Sequence, residues 1–309
     1  MLLRDFGLAL AIAFLPAICF YPVIGWRRGA RLPICLVLEA AVACAPWAVP
    51  AHAALLRLLA GVLATMPAVK MWDACRAGRG GTPANVFQYL LYLPNPFNIV
   101  WRKIIAGRRP TARADLLRVA LGILGSAGAI GVCYAVFTIQ WQRFPFAFEH
   151  CTKVPAVFLA ILVVPNTAAA AYRLLGIPST DFSNNFFVAR TPAEFWRRYN
   201  CPASQFLYED VFKALGGSRL PLIGALVTFA VSGLVHEYIF DVAASRVQGY
   251  QIAFFLIQGI ASIATARLRP RGWRAVLCIL ATLCFNIATG LLFFASMNET
   301  IPFYVRRLL

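Results

Sequence analysis

Histidine is nearly missing from this chain: there are three in 309 residues, at positions 52, 150 and 236. None forms an HExxH or HxxxH pair, and the nine cysteines include no CxxC. Metal-ligand spacing is therefore absent. Cys19, Cys35, Cys44, Cys133, Cys278 and Cys284 fall in apolar runs, where a thiol behaves as a small hydrophobe, so no disulfide framework is expected. Acids are scarce too: 12 Asp and Glu stand against 29 Lys and Arg, a net charge of +17. That balance suits nucleic acid, but no zinc-finger spacing, nucleotide-stacking motif or soluble basic domain accompanies it. Basic loops against anionic lipid account for the charge instead. The lack of an internal repeat and the scarcity of acids inside the apolar runs argue against a proton-coupled lipid transporter.

What remains is apolar. The chain is 61% hydrophobic, with a mean hydropathy of +0.71, against about 45–50% apolar residues in a soluble domain. A span needs roughly 20 residues. The runs at 6–24, 32–50, 53–72, 116–140, 154–175, 220–244, 250–266 and 273–297 read as eight spans. The expected fold is all-α, a polytopic transmembrane helix bundle forming one integral membrane domain over residues 1–309. The first run resembles a signal peptide in length. It has a single Arg4 beside Asp5 and no small-x-small cleavage site, so it reads as a span.

The basic residues lie mostly in alternate loops. Arg27, Arg28 and Arg31 fall in the first, eight Lys and Arg between Arg76 and Arg118 in the third, six between Arg173 and Arg219 in the fifth, and four between Arg267 and Arg274 in the seventh. The positive-inside rule then makes the odd-numbered loops cytoplasmic, a pattern that Arg306 and Arg307 break. Two of these loops are more than connectors. Residues 86–105 read as an interfacial or re-entrant element around Pro94-Asn95-Pro96, with Tyr89, Tyr92 and Trp101 at headgroup level. In the fifth loop, Thr191-Pro192-Ala193-Glu194 has the form of a helix start, with a Thr cap, Pro at the first position and Glu at the third. Phe195, Trp196, Phe206, Val211 and Phe212 follow among charges, as suits a helix lying in the interface.

Within the sixth run the chain reads Ser232-Gly-Leu-Val-His236-Glu237. An ionisable side chain inside a span is costly and marks a candidate site. His52 and His150 fall in loops and read as solvent-facing, with no role. Asp241 makes an HxxxxD string with His236, but five residues turn a helix by about 500°, so the two do not share a face. Glu237 points elsewhere than His236 and reads as a structural ion pair or hydrogen bond to a neighbouring span, with Glu39 as that kind of partner.

Thirty-six residues before His236 stands Asn200, in Phe195-Trp196-Arg197-Arg198-Tyr199-Asn200-Cys201-Pro202. This box, followed by Phe206, Val211 and then Ser232-x-x-x-His236-Glu237, resembles the membrane-bound O-acyltransferases, closest to the wax synthase-like branch and its sterol and diacylglycerol acyltransferase cousins. The branch usually has Trp where this chain has Tyr199. The resemblance implies a membrane bundle that esterifies a lipophilic alcohol (long-chain alcohol, sterol, diacylglycerol or a hydroxylated natural product) with acyl-CoA as co-substrate. It implies no metal and no other cofactor. By it, His236 is the catalytic histidine and Asn200 its polar partner.

The chemistry needs such a pair. A base must take the hydroxyl proton as the oxygen attacks the thioester, and neutral imidazole suits that task. Two roles are open to Asn200: holding the imidazole, or donating to the thioester oxygen as charge develops there. Ser232, one turn before His236, is placed to fix the tautomer. Arg197 and Arg198 suit the phosphates of coenzyme A. Phe195 and Trp196 suit the entry of an acyl chain, and Tyr199, Ser232 and Glu237 stand with them as substrate-binding candidates.

Overall fold

The computed structural model describes residues 1–83, 85–106, 111–217 and 219–305. Four arginines of the charge pattern, Arg108, Arg109, Arg306 and Arg307, lie outside the described residues. The described residues form eleven α-helices and no strand. They are α1 (Leu2–Phe20), α2 (Arg28–Ala43), α3 (Ala54–Ala77), α4 (Val86–Tyr92), α5 (Ala112–Phe137), α6 (Phe146–Leu174), α7 (Pro192–Arg198), α8 (Cys201–Phe206), α9 (Pro221–Ala244), α10 (Tyr250–Thr265) and α11 (Trp273–Asn298).

Each of the eight expected spans coincides with a helix. Among the described residues, seven helical stretches are long and apolar enough to cross a membrane; α10 is apolar but has only 16 residues. At 1.5 Å per residue α10 reaches about 24 Å, short of a hydrocarbon core of about 30 Å. The fold is a polytopic membrane helix bundle, with four short helices' worth of chain, α4, α7, α8 and a single π turn at Leu207–Phe212, between the spans.

The chain divides into two compact units, Met1–Gly107 with Val235–Gln248, and Arg108–Leu234 with Gly249–Leu309. In the first, α1, α2 and α3 pack around Ala13, Ala17, Phe20, Cys35, Met71, Tyr89 and Tyr92. The tyrosines of α4 therefore face the protein core and not a headgroup layer, which corrects the reading from sequence. Tyr89 is fully buried and its hydroxyl donates to Ala17 O (3.0 Å); the Tyr92 hydroxyl donates to Ile99 O. Satisfied hydroxyls make such burial tolerable. The outer face of α4 carries Val86, Phe87, Leu90 and Leu91 instead, all exposed.

The irregular chain after α4 hangs on a buried cation of α3. Lys70 is fully buried, and its ammonium donates to Tyr92 O (2.5 Å), Leu93 O (3.0 Å) and Asn95 O (2.5 Å). Asp73, one turn on, accepts from Trp101 N–H (3.1 Å) and pairs with Arg102 (3.4 Å). Arg57 of the same helix closes the end of α9, donating to Val242 O (3.1 Å) and Ser245 Oγ (2.8 Å). A cation at a helix C-terminus meets its unpaired carbonyls and the negative end of its dipole.

In the second unit α5 lies along α6 on small residues. A Cβ added at Gly122 would come within 2.3 Å of Thr167 Oγ1, and one at Gly125 within 3.1 Å of Val163. Such stripes let membrane helices approach closely. The other faces of α5 expose Leu116, Leu121, Leu124 and Tyr134, as befits contact with lipid. Helix α6 begins eight residues before the run read from sequence, because its polar residues are matched internally. Lys153 pairs with Glu149 (2.6 Å) and donates to Phe303 O (2.6 Å), and Glu149 also accepts from Val305 N–H (3.0 Å). His150 is thus no loop residue: it is buried in α6, with Nε2 2.7 Å from Ile287 O and Nδ1 2.6 Å from the Tyr304 hydroxyl. Because Nε2 faces a carbonyl it carries the proton, and Nδ1 accepts from tyrosine. His52 stays exposed in the turn before α3.

Candidate active site

The Asn200 box takes the form of two short helices with a sharp break between them. Thr191 caps α7, its hydroxyl accepting from Glu194 N–H (3.1 Å), with Pro192 at the first position. Glu194 completes the expected capping box one residue further back, accepting from Arg190 N–H (2.9 Å). It also holds Arg198 through two contacts on one oxygen (2.7 and 3.0 Å). Burial pushes the Glu194 carboxyl up, but these hydrogen bonds and the two arginines outweigh it and hold it below the ordinary carboxylate range.

Asn200 makes the break. Its backbone is left-handed (φ 43°, ψ 60°), a conformation asparagine tolerates better than most side chains. Its Oδ1 accepts from Ala203 N–H (3.3 Å) and so caps α8, with Pro202 just inside. The side-chain Nδ2 makes no hydrogen bond among the described residues. The break is held from outside by a short ladder to the preceding loop: Cys201 N–H donates to Phe182 O (2.7 Å) and Asn184 N–H to Arg198 O (2.8 Å). That loop is fastened in turn. Asn166 of α6 donates to Ser183 O (3.0 Å) and accepts from Ser183 N–H (3.0 Å). Arg173 bridges Asp115 (2.7 Å) and Asp181 (2.9 Å).

The aromatic residues of the box come together, in contact with one another and with helices of the same unit. Phe195 is buried and stacks on Tyr199 (5.4 Å between centroids) and edge-on to Phe186 (5.5 Å). Tyr199 is half-buried among these rings, and burial pushes its phenol up to about 12. Trp196 packs on Phe229, Phe254 and Phe255, and its Nε1 donates to Gln258 Oε1 (2.9 Å). The two arginines part company. Arg198 is committed to Glu194 and to Asn184 O (3.1 Å), whereas Arg197 is exposed and makes no ion pair among the described residues.

Ser232, His236 and Glu237 sit on α9, which runs unbroken from Pro221 to Ala244. His236 and Ser232 are half-buried and one turn apart on that helix. Fifteen rises place His236 about 22 Å from the start of α9. Glu237 is buried, and its hydrogen bond is to Asp241 one turn along the same helix, not to Glu39. Glu39 is half-buried, with Oε1 shut off from solvent and unpartnered. Asp241 also accepts from Gln248 N–H (3.0 Å), and the unbroken helix keeps it off the His236 face. Ser232 and Asn200 belong to the second unit, His236 and Glu237 to the first.

Residues outside the candidate set read from sequence support this region. Asn166, Asp115 and Arg173 fasten the loop before the box, and Gln258, Asn286 and Thr289 form a polar chain behind Trp196. Gln258 Nε2 donates to Asn286 Oδ1 (3.2 Å) and Thr289 Oγ1 (2.8 Å).

The family described as membrane-bound O-acyltransferase matches residues 131–297, more than half of the chain. Among curated proteins, the chain is 30% identical over 167 residues to a probable long-chain-alcohol O-fatty-acyltransferase 2 of Arabidopsis thaliana, covering 49% of each. It is 26% identical over 215 residues to a probable long-chain-alcohol O-fatty-acyltransferase 7 of that plant, covering 53% of this chain and 63% of the other. It is 29% identical over 179 residues to an acyl-CoA–sterol O-acyltransferase 1, again from Arabidopsis thaliana, covering 50% and 52%. The matched part thus spans between 49% and 63% of these relatives' length.

Proposed function

The chain belongs to the membrane-bound O-acyltransferase family, and on that premise we propose that it moves an acyl group from acyl-CoA to the hydroxyl of a long-chain alcohol within the membrane. His236 is the base. It takes the hydroxyl proton as the alcohol oxygen attacks the thioester carbonyl. The carbon–sulfur bond then breaks, the proton passes to the leaving thiolate, and ester, free coenzyme A and neutral histidine result. Asn200 assists through Nδ2, the atom its capping role leaves over, by donating to the carbonyl oxygen as charge builds there. Ser232 sets the imidazole tautomer. The odd-numbered loops are cytoplasmic, so acyl-CoA approaches the box from that side, and Arg197 meets its phosphates.

The observation that carries this reading is the single histidine of an apolar spanning helix, downstream of a capping asparagine whose amide N–H groups are unspent. The long-chain alcohol is taken from two relatives; the third, a sterol acyltransferase, supplies the competing acceptor. The test is the purified protein in detergent with labelled acyl-CoA and separate long-chain alcohol and sterol acceptors, beside His236→Ala. Labelled wax ester from wild type alone is the expected result, with His236→Ala reduced by at least the roughly 10²–10⁴-fold of a lost general base. Equal turnover by the variant overturns the role of His236. Sterol ester in place of wax ester moves the acceptor and leaves the rest standing.

A further inference from the structure

Ser204 bonds in a way that its place in α8 does not predict. A serine inside a helix ordinarily donates to a carbonyl three or four residues back. Ser204 Oγ instead reaches five and eight residues back, to Tyr199 O (3.2 Å) and Trp196 O (2.9 Å). Its one hydrogen is thus shared between two carbonyls at the end of α7, on the far side of the break.

Those two carbonyls are ones that the break at Asn200 strands. In an unbroken helix Trp196 O would accept from Asn200 N–H, and Tyr199 O from Ala203 N–H. The left-handed backbone at Asn200 (φ 43°) ends that ladder, and Ala203 N–H is taken by Asn200 Oδ1 (3.3 Å). Arg198 O would face Pro202, which has no N–H, and is met by Asn184 N–H (2.8 Å) instead. Ser204 serves both sides of the break. Its N–H donates to Asn200 O (2.9 Å) in the first turn of α8, while its hydroxyl grips the end of α7. The α7 end is itself anchored, because the Trp196 indole donates to Gln258, a residue only 1% exposed. One side chain therefore spans the elbow from position 196 to position 204, with Asn200 midway.

We infer that Ser204 is a positioning residue for Asn200: by tying α8 back onto α7 it fixes the elbow from which the Asn200 amide is presented. The inference rests on the acyltransferase reading in taking that amide as the donor to the thioester oxygen. Ser204 acts through Asn200 and has no part in making or breaking bonds.

The test follows ester formation from labelled acyl-CoA by the full-length protein in detergent. It compares wild type with Ser204→Ala, Ser204→Thr, Asn200→Asp and the Ser204→Ala/Asn200→Asp double variant. Alanine is the better helix former, so α8 survives the loss of the hydroxyl. Ser204→Ala should lower kcat about tenfold, because a donor placed for the transition state is sensitive to small misplacement. The KM for acyl-CoA should move by less than about twofold. Ser204→Thr keeps the hydroxyl and should recover most of kcat. In the Asn200→Asp background there is no amide to position, so the alanine should cost nothing more. Backbone hydrogen exchange without substrate should be faster in Ser204→Ala for the peptide carrying Ala203 and Ser204, and unchanged in α5. Unchanged exchange at that peptide, an unchanged kcat, a threonine no better than alanine, or a loss that persists in the Asn200→Asp background each overturns the inference and leaves the role of Asn200 standing. Asn200→Asp as active as wild type overturns the role of Asn200, and the inference with it.

Discussion

Residues 93–100 of the first unit and residues 178–190 of the second are both irregular chain set among apolar helices, and they are fastened by opposite means. The first hangs on one ammonium: Lys70 alone satisfies three backbone carbonyls, with Asp73 holding the far end. The second is held by several weaker devices that do not depend on each other. These are the Asn166–Ser183 pair, the Asp115–Arg173–Asp181 bridge and the ladder to Cys201 and Arg198. A single charged fastener concentrates the cost of failure, because each carbonyl it abandons is buried. A distributed one spreads it. The distributed arrangement lies beside Asn200, where small errors of position matter more than global stability.

Lys70→Met breaks the comparison most severely. Three carbonyls lose their partner, at about 1–3 kcal/mol each, and the expected outcome is loss of folded protein on size exclusion in detergent. Asn166→Leu should cost only about 1–2 kcal/mol, a drop of a few degrees in thermal melting, yet reduce ester formation disproportionately by loosening the ladder beside Asn200. A melting loss equal to that of Lys70→Met would show the two loops to be fastened alike. Arg197→Ala and Arg198→Ala sharpen the picture inside the box. The first should raise the apparent KM for acyl-CoA several-fold with unchanged melting; the second should lower melting and leave KM less affected.

The smallest effect is a pH dependence at Glu194. Its folded pKa is depressed, so its stabilisation is complete above the ordinary carboxylate value and disappears as pH falls through the lower folded value. Glu194→Gln should therefore melt lower than wild type at pH 7, by the equivalent of about 1 kcal/mol or less. The gap should close as pH falls below the ordinary carboxylate range. A constant gap across that range would mean that the carboxylate charge contributes nothing there.

Much of this architecture was legible because hydropathy reports on spans directly. All eight apolar runs are helices, and the Thr191-Pro192-Ala193-Glu194 cap forms as its chemistry required. The reading went astray where polar groups are paired inside the protein. Glu149, His150 and Lys153 looked like loop because each alone is costly in lipid; together with Phe303, Tyr304 and Val305 they satisfy one another. Tyr89 and Tyr92 looked interfacial for the same reason, and their hydroxyls meet backbone carbonyls indoors. Within the candidate site, His236 and Asn200 stood out through rarity and order. Asn286 did not, because its place in the polar chain behind Trp196 is a fact of three dimensions: Trp196 and Gln258 stand 90 and 28 residues away.

Asn200 also sets a limit on how its own role can be tested. Alanine at that position loses the α8 cap and must adopt a left-handed backbone that it resists. An inactive Asn200→Ala would therefore be silent about catalysis. Asparagine's two duties can be separated only by side chains that divide them. Aspartate keeps the acceptor for Ala203 N–H and tolerates the same backbone, but has no amide to donate; glycine keeps the backbone and surrenders both. Activity lost in Asn200→Asp, with melting preserved, would assign the missing function to two hydrogens.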